Sequence, residues 1–321
     1  MTFVRTVFYA LVSVAALWLG LAWALRQPNF GSVPFPGITH AEAPKLEEHV
    51  RFLSKNGEWR NLRHPAGLER AANYIYETFG RTGAAVSRQP YKAGPAEAQN
   101  IVARFGLEER PRIVVGAHYD VFDQLPGADD NASGVAALLE LARLLENRKL
   151  ATTVELVAFS TEEPPFFGGP EMGSAVHAKS LHDTGVKVPA MISLEMIGFY
   201  AEEQTYPDVL PNLVYPRHGH YIALAGRWAD RDLVAGAKKC FRGASPLEVV
   251  SYSGPTGLGA DLSDQRNYWA IGVPAFMVTD TGFMRNPHYH AATDTAETLD
   301  YQRMAGVVDG VFSTVVTLAS Y

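Results

Sequence analysis

The chain has 321 residues, 47% of them hydrophobic and 19% charged, and a formal charge of −6. That length buries the core of one large domain or two small ones, and the acidic balance without a dense basic cluster excludes a protein built around nucleic acid. A single cysteine, Cys240, excludes an intramolecular disulfide and any cysteine-rich zinc site.

In chain order, the first element follows Arg5: TVFYALVSVAALWLGLAWAL, uncharged until Arg26, is long enough to cross a bilayer as a helix. Apolar residues surround it on all sides, unlike the one-sided stripe of a domain helix. Residues 1–26 are expected to be an uncleaved signal-anchor; the alternative is a signal peptide ending at Ala22-Trp23-Ala24. Either one exports the remainder, as an ectodomain held at the membrane or as a secreted protein. Residues 27–44, rich in Pro and Gly, are expected to be a linker, and residues 45–321 one domain. A helical pattern runs from Lys45 to Leu53, and a second carries Leu68, Ala71, Ala72, Ile75 and Phe79 on one face until Gly80 or Gly83. QNIVARF and PRIVVGAHYD read as a pair of strands, and SGVAALLELARLLENRKL as a helix with Ser133 as its N-cap. Strand TVELVAFS, a helix within 170–182, and strands PAMISLEM and HYIALAG follow. Then come a helix at 230–242 holding Cys240 as a buried structural thiol, strands at 247–252 and VPAFMVTD, and a closing helix from Tyr301. Strands alternating with helices predict a single α/β domain whose central sheet is mixed, mostly parallel and flanked by helices.

In open α/β sheets, ligands bind beyond the carboxyl ends of the strands. His118-Tyr119-Asp120 follows RIVVGA, and Asp129-Asp130 stands in LPGADDNASG before a helix. Glu162-Glu163 follows VELVAFST, Glu195 ends AMISL, and His288, His290 and Asp294 lie beyond VPAFMVTD. None of these positions is a lysine or arginine. Acids gathered without basic partners repel one another and rise in pKa; a bound cation removes that cost. Imidazole and carboxylate without thiolate suit zinc, with manganese or cobalt as alternatives. Two histidines and three or four carboxylates exceed one tetrahedral ion and fit two ions sharing a carboxylate, about 3.5–4 Å apart. One of Glu162 and Glu163 would then hold metal while its neighbour stays free as a base.

Taken in order, GAHYD, GADDNASG, FSTEEPP, MGS, ISLEMIGFY and NPHYHAATDT resemble the M28 family of co-catalytic zinc peptidases, the aminopeptidase Y type, over residues 45–321. The resemblance implies a zinc-dependent exopeptidase fold, two zinc ions per chain, and a peptide substrate with a free N-terminal amine. It implies that His118 and Glu195 bind one zinc, that Glu163 and His290 bind the other, and that Asp130 bridges them. Glu162 would be the general base, and Asp120 would orient the His118 ring from behind. Asp129 matches a variable position, a solvated acid or one that supports the site from outside. A cis peptide is implied at Asp130–Asn131. His288 is the rival of His290, with the wrong spacing to Asp294. Gln265 departs from the pattern, standing in LSDQRNYW where many members carry histidine, which touches substrate contacts or rate rather than metal binding. The specificity pocket is expected to use loops 199–219 and 252–268, and Arg285 to lie on the surface or meet a substrate carboxylate. A glutaminyl-cyclase-type acyltransferase, which works with one zinc, and a non-catalytic ectodomain are the alternative functions.

Overall fold

The runs RIVVGAH and TVELVAF are buried at every position, which places them inside a sheet covered on both faces. The computed structural model describes residues 2–28, 31–107, 111–206 and 209–320. Helices α1 (Thr2–Arg26), α2 (Ala43–Leu53) and α3 (Pro65–Gly80) precede strands β1 (Ala85–Ala93), β2 (Ala96–Phe105) and β3 (Arg112–His118). Next come α4 (Gly134–Leu145), β4 (Thr153–Phe159), α5 (Gly173–Asp183), β5 (Ala190–Glu195) and α6 (Val209–Val214). The chain ends with β6 (Tyr221–Arg227), α7 (Arg231–Ala244), β7 (Glu248–Gly254), α8 (Gln265–Ala270), β8 (Ala275–Thr279) and α9 (Tyr301–Ala319).

All eight strands form one mixed sheet in the order β1-β2-β4-β3-β5-β8-β6-β7. The centre, β4-β3-β5-β8, is parallel throughout, while β1/β2, β2/β4 and β6/β8 are antiparallel. From β3 the chain crosses to β4 on one side and then to β5 on the other, so the crevice of such a sheet opens at the end of β3. Register levels the strand ends there: His118 pairs with Phe159, Gly116 with Ser193, and Glu195 with Thr279. The two faces are packed separately. Ile113, Val115 and Leu156 meet Leu46, Ile75, Leu138 and Phe312 on one side; Val114, Val157 and Phe159 meet Leu181 and Tyr268 on the other. The Phe159 ring packs against Gly116, where a Cβ would sit 2.1 Å from it.

QNIVARF and PRIVVGAHYD are not neighbours: β4 lies between them, and β2 pairs instead with β1. The sequence pattern of β1 is obscured because it is an edge strand, half exposed and interrupted by Pro90. The short α6 and α8 also lack a readable period. Helix α2 begins at Ala43, two residues before the expected Lys45, with Pro44 in its first turn. Helix α1 is exposed over residues 4–21 and is long and apolar enough to cross a membrane. Between α1 and α2, Val33 N–H donates to the Lys239 carbonyl, and Asp309 accepts from the Ala41 N–H and lies 2.6 Å from His40 Nδ1.

Beneath α5, Glu155 of β4 is fully buried among Arg104 Nε at 2.5 Å, Arg112 Nη1 at 3.0 Å and His177 Nε2 at 3.0 Å. Burial opposes its ionisation, but His177 and the two arginines outweigh burial and hold the carboxyl down at about 2. Because the folded value lies below the ordinary 4.5, this contribution is complete above pH 4.5 and is lost as pH falls toward 2. Glu155→Gln is expected to cost about 3 kcal/mol at neutral pH by taking the carboxylate from the buried Arg112 guanidinium. Urea unfolding of the detergent-solubilised chain measures it; an unchanged midpoint would contradict the role assigned to this cluster.

Candidate metal centre

Each strand end turns its functional side chain into the same crevice by a distinct local device. His118 is the last residue of β3 and is fully buried. Past β4, Thr161 takes a left-handed φ of +59°, a costly conformation for a β-branched residue. That reversal breaks the strand alternation which would send Glu162 and Glu163 to opposite faces. Their backbone N–H groups then both donate to Asp120, Glu162 to Oδ1 and Glu163 to Oδ2, each at 3.1 Å. Asp120 thus holds both glutamates while its Oδ1 lies 3.4 Å from His118 Nδ1. Glu195 closes β5 ahead of Met196, also left-handed, and His290 is left-handed itself, with φ of +49° and +50°. The His290 ring is sandwiched between Phe122 and Tyr289, with centroids at 4.4 and 3.9 Å.

Asp130 stands in the wide turn before α4, and the Asp130–Asn131 peptide is cis. The carboxylate of Asp294 accepts the N–H groups of Asp129 at 2.9 Å and Asp130 at 3.1 Å. Asn131 ties the turn to β5, donating to the Leu194 carbonyl and accepting from the N–H groups of Met196 and Gly134. Ser133 stands at the expected N-cap position of α4, but its hydroxyl donates to the Asp129 carbonyl and accepts from Ile197, leaving Asn131 Oδ1 to take the Gly134 N–H.

The result is two clusters with one common member. His118 Nε2 lies 3.4 Å from Asp130 Oδ1 and 3.3 Å from Glu195 Oε2. His290 Nε2 lies 3.2 Å from Asp130 Oδ2 and 3.4 Å from Glu163 Oε2. Among the described residues, these are the two groups of three with metal-ligand atoms close enough to share an ion. Both nitrogens of His118, His290 Nε2 and Glu163 Oε1 are buried and make no hydrogen bond there. Burial would lower the His118 imidazole, but Glu195 and Glu162 raise it well above the histidine range. Against burial, Asp130 and Glu163 likewise lift His290 to about 9. Burial and then Asp130 push Glu163 up to about 7. Burial also raises Asp130, yet the two imidazoles outweigh it and hold Asp130 below the usual range. Protons on the histidines are the cluster's own compensation for its acids, and divalent cations would replace them while using the same lone pairs. The donor set and its orphaned atoms fit two such ions.

Glu162 belongs to neither cluster. It is buried, and burial, with Glu195, Asp264 and Glu163 adding to it, raises its carboxyl well above the usual range against His118. His288 is turned away, with Nδ1 2.8 Å from Thr293 Oγ1. Asp129 is fully buried rather than solvated, accepting from Gly198 and Asn286, so only its supporting role stands. Arg285 is not a surface residue: it is 6% exposed and donates to Gln204 and the Tyr221 carbonyl. In the departing segment, Ser263 Oγ donates to Glu195 Oε2 at 2.6 Å, while Gln265 is buried and donates to the Ala260 carbonyl. No local pattern pointed to Arg60, whose buried guanidinium donates to the carbonyls of Leu53, Tyr119, Pro126 and Gly127. It staples the chain after His118 to the turn before Asp130.

A mixed sheet with two such clusters at its carboxyl rim has the architecture of the zinc-dependent exopeptidases. The chain belongs to Peptidase family M28, whose model matches residues 100–315. It is 46% identical over 288 residues to the uncharacterized protein YfbL of Escherichia coli (strain K12), covering 85% of this chain and 88% of that protein. It is 27% identical to a probable leucine aminopeptidase of Trichophyton verrucosum, covering 80% and 69%. Among solved structures, its fold is similar to the LapA aminopeptidase of Legionella pneumophila (TM-score 0.71, 21% identity, 88% and 73% covered). It is also similar to the glutaminyl cyclase of Porphyromonas gingivalis (TM-score 0.67, 20% identity, 87% and 99% covered).

Asp294→Asn would set an amide N–H against the backbone N–H of Asp129 or Asp130 and release the turn. Divalent-metal affinity is expected to fall about 10- to 100-fold in a competition titration with a chromophoric chelator; undiminished affinity would contradict this positioning role.

Proposed function

We propose that the chain is a di-zinc aminopeptidase that removes N-terminal residues from peptides, exported and held at the membrane by α1. The observation that carries this reading is the shared carboxylate: Asp130 offers one oxygen to each cluster, with Glu162 buried beside both and a member of neither. His118 and Glu195 would hold one ion and Glu163 and His290 the other, with Asp130 offering an oxygen to each. When bound, two zinc ions supply Lewis acidity that acidifies water and polarises a carbonyl. The chain's own residues do the rest. Asp120 fixes the orientation of His118 and the backbone of both glutamates, so binding and proton transfer are divided between adjacent carboxyls. Glu162 takes the proton of the attacking water on its carboxylate and delivers it to the departing amine.

The likeness to glutaminyl cyclases supports a second reading, an acyl transfer within the same fold. Two complete clusters favour hydrolysis over a one-zinc cyclase.

The purified full chain is expected to carry about two zinc ions and to hydrolyse aminoacyl reporters but not N-blocked peptides, losing activity on chelation. Glu162→Gln is expected to keep the zinc and to lower kcat by about 10²–10⁴-fold. Zinc loss equal to the activity loss would refute the division of labour, and a metal ratio near one with cyclase activity would favour the second reading.

A further inference from the structure

The crevice at the metal centre continues into a cavity of about 330 Å³ whose far wall includes Leu25, the penultimate residue of α1. That volume lies at the lower end of small-ligand sites. Past the carboxylates and His290 at one end, no charged side chain lines it among the described residues; Leu25, Val214, Ala225, Val250 and Met277 form apolar wall. The helix preceding Leu25 is exposed, whereas Leu25 is 6% exposed and packs where a Cβ on Gly254 would lie 3.0 Å from its Cδ2.

The end of α1 is built into the domain. The Arg26 carbonyl accepts from Lys238 Nζ at 3.0 Å and Ser251 Oγ at 2.6 Å, a buried cation and a hydroxyl at a helix C-terminus. Arg26 Nη1 donates to the Val214 carbonyl, and its guanidinium sits 5.9 Å from the Tyr215 ring centre. Gln27 donates to the Arg231 carbonyl and accepts from Ser253. Cleavage after Ala24 would place a new ammonium on Leu25, inside this apolar wall, at the cost of burying an unpaired charge.

We infer that the last turn of α1 is part of the substrate site, with Leu25 a specificity-determining residue for large apolar side chains at the peptide N-terminus. This rests on the aminopeptidase reading. The helix is retained because the pocket is incomplete without it, and the anchor and the specificity pocket are one structural unit. Lysyl and arginyl N-termini find no countercharge along the wall beyond the metal centre.

The test uses the full chain in detergent with phenylalanyl, leucyl and alanyl reporters. Leu25→Trp fills the far end of the cavity, so the phenylalanyl-to-alanyl ratio of kcat/KM is expected to fall about tenfold, mainly through KM. Leu25→Ala is expected to move the phenylalanyl-to-leucyl ratio the opposite way. Ratios unchanged in both variants, or all reporters lost equally, would overturn the inference. A second arm needs no turnover. With Leu25→Cys in a Cys240→Ser background, L-phenylalanine at about ten times its Kd is expected to slow alkylation by N-cyclohexylmaleimide about tenfold, and glycine to leave it unchanged. Phenylalanine without effect would overturn the inference even in an active enzyme. Protection in a chain that hydrolyses no reporter would uphold the cavity assignment and refute the aminopeptidase reading instead.

Discussion

Asp130 points one oxygen toward His118 and the other toward His290, and the surrounding structure serves to keep that carboxylate between two histidines and two further acids. Two like charges 4 Å apart repel by about 4 kcal/mol even at an effective dielectric of 20, so such a cluster does not assemble from side-chain preference. It is imposed by a rigid frame. The parallel strands β4-β3-β5-β8 bring their carboxyl ends level, and Asp120, Asp294, Asn131 and Arg60 fasten the loops beyond them through backbone hydrogen bonds. Left-handed conformations at Thr161, Met196 and His290 each cost about 1–3 kcal/mol. The frame tolerates them because they turn Glu162, Glu163, Glu195 and His290 into one crevice.

Much of this was legible in the sequence because strand ends announce themselves. Apolar runs that stop at His118, Glu162-Glu163 and Glu195 required only the rule that parallel sheets bind ligands at their carboxyl rim. Periodicity located α2, α3, α4, α7 and α9. What stayed hidden depends on contacts between distant segments. Arg60 satisfies carbonyls 59–67 residues away, and no local pattern marks an arginine that will be buried. Asn131 rather than the N-cap Ser133 supplies the side-chain acceptor at the start of α4, because the turn before the helix is bent around Asp130. The edge strand β1 lacked a buried face to leave an alternation. Leu25 was hidden differently: an apolar residue at the end of an apolar run looks the same whether it meets lipid or lines a cavity.

The same frame explains how neighbouring glutamates can have different tasks. Glu163 faces His290 and the shared Asp130, whereas Glu162 is surrounded by burial and the charges of Glu195 and Asp264. Glu163 joins one of the two clusters and Glu162 neither, although only one peptide bond separates them. Asp120, by accepting both N–H groups, fixes the orientation from which both environments follow.

Anomalous diffraction at the zinc edge from crystals of the full chain tests the central claim most directly. The account predicts two peaks flanking Asp130, one contacted by His118 and Glu195 and the other by Glu163 and His290, with Glu162 bound to neither. A single peak, or one coordinated by Glu162 in place of Glu163, would contradict it.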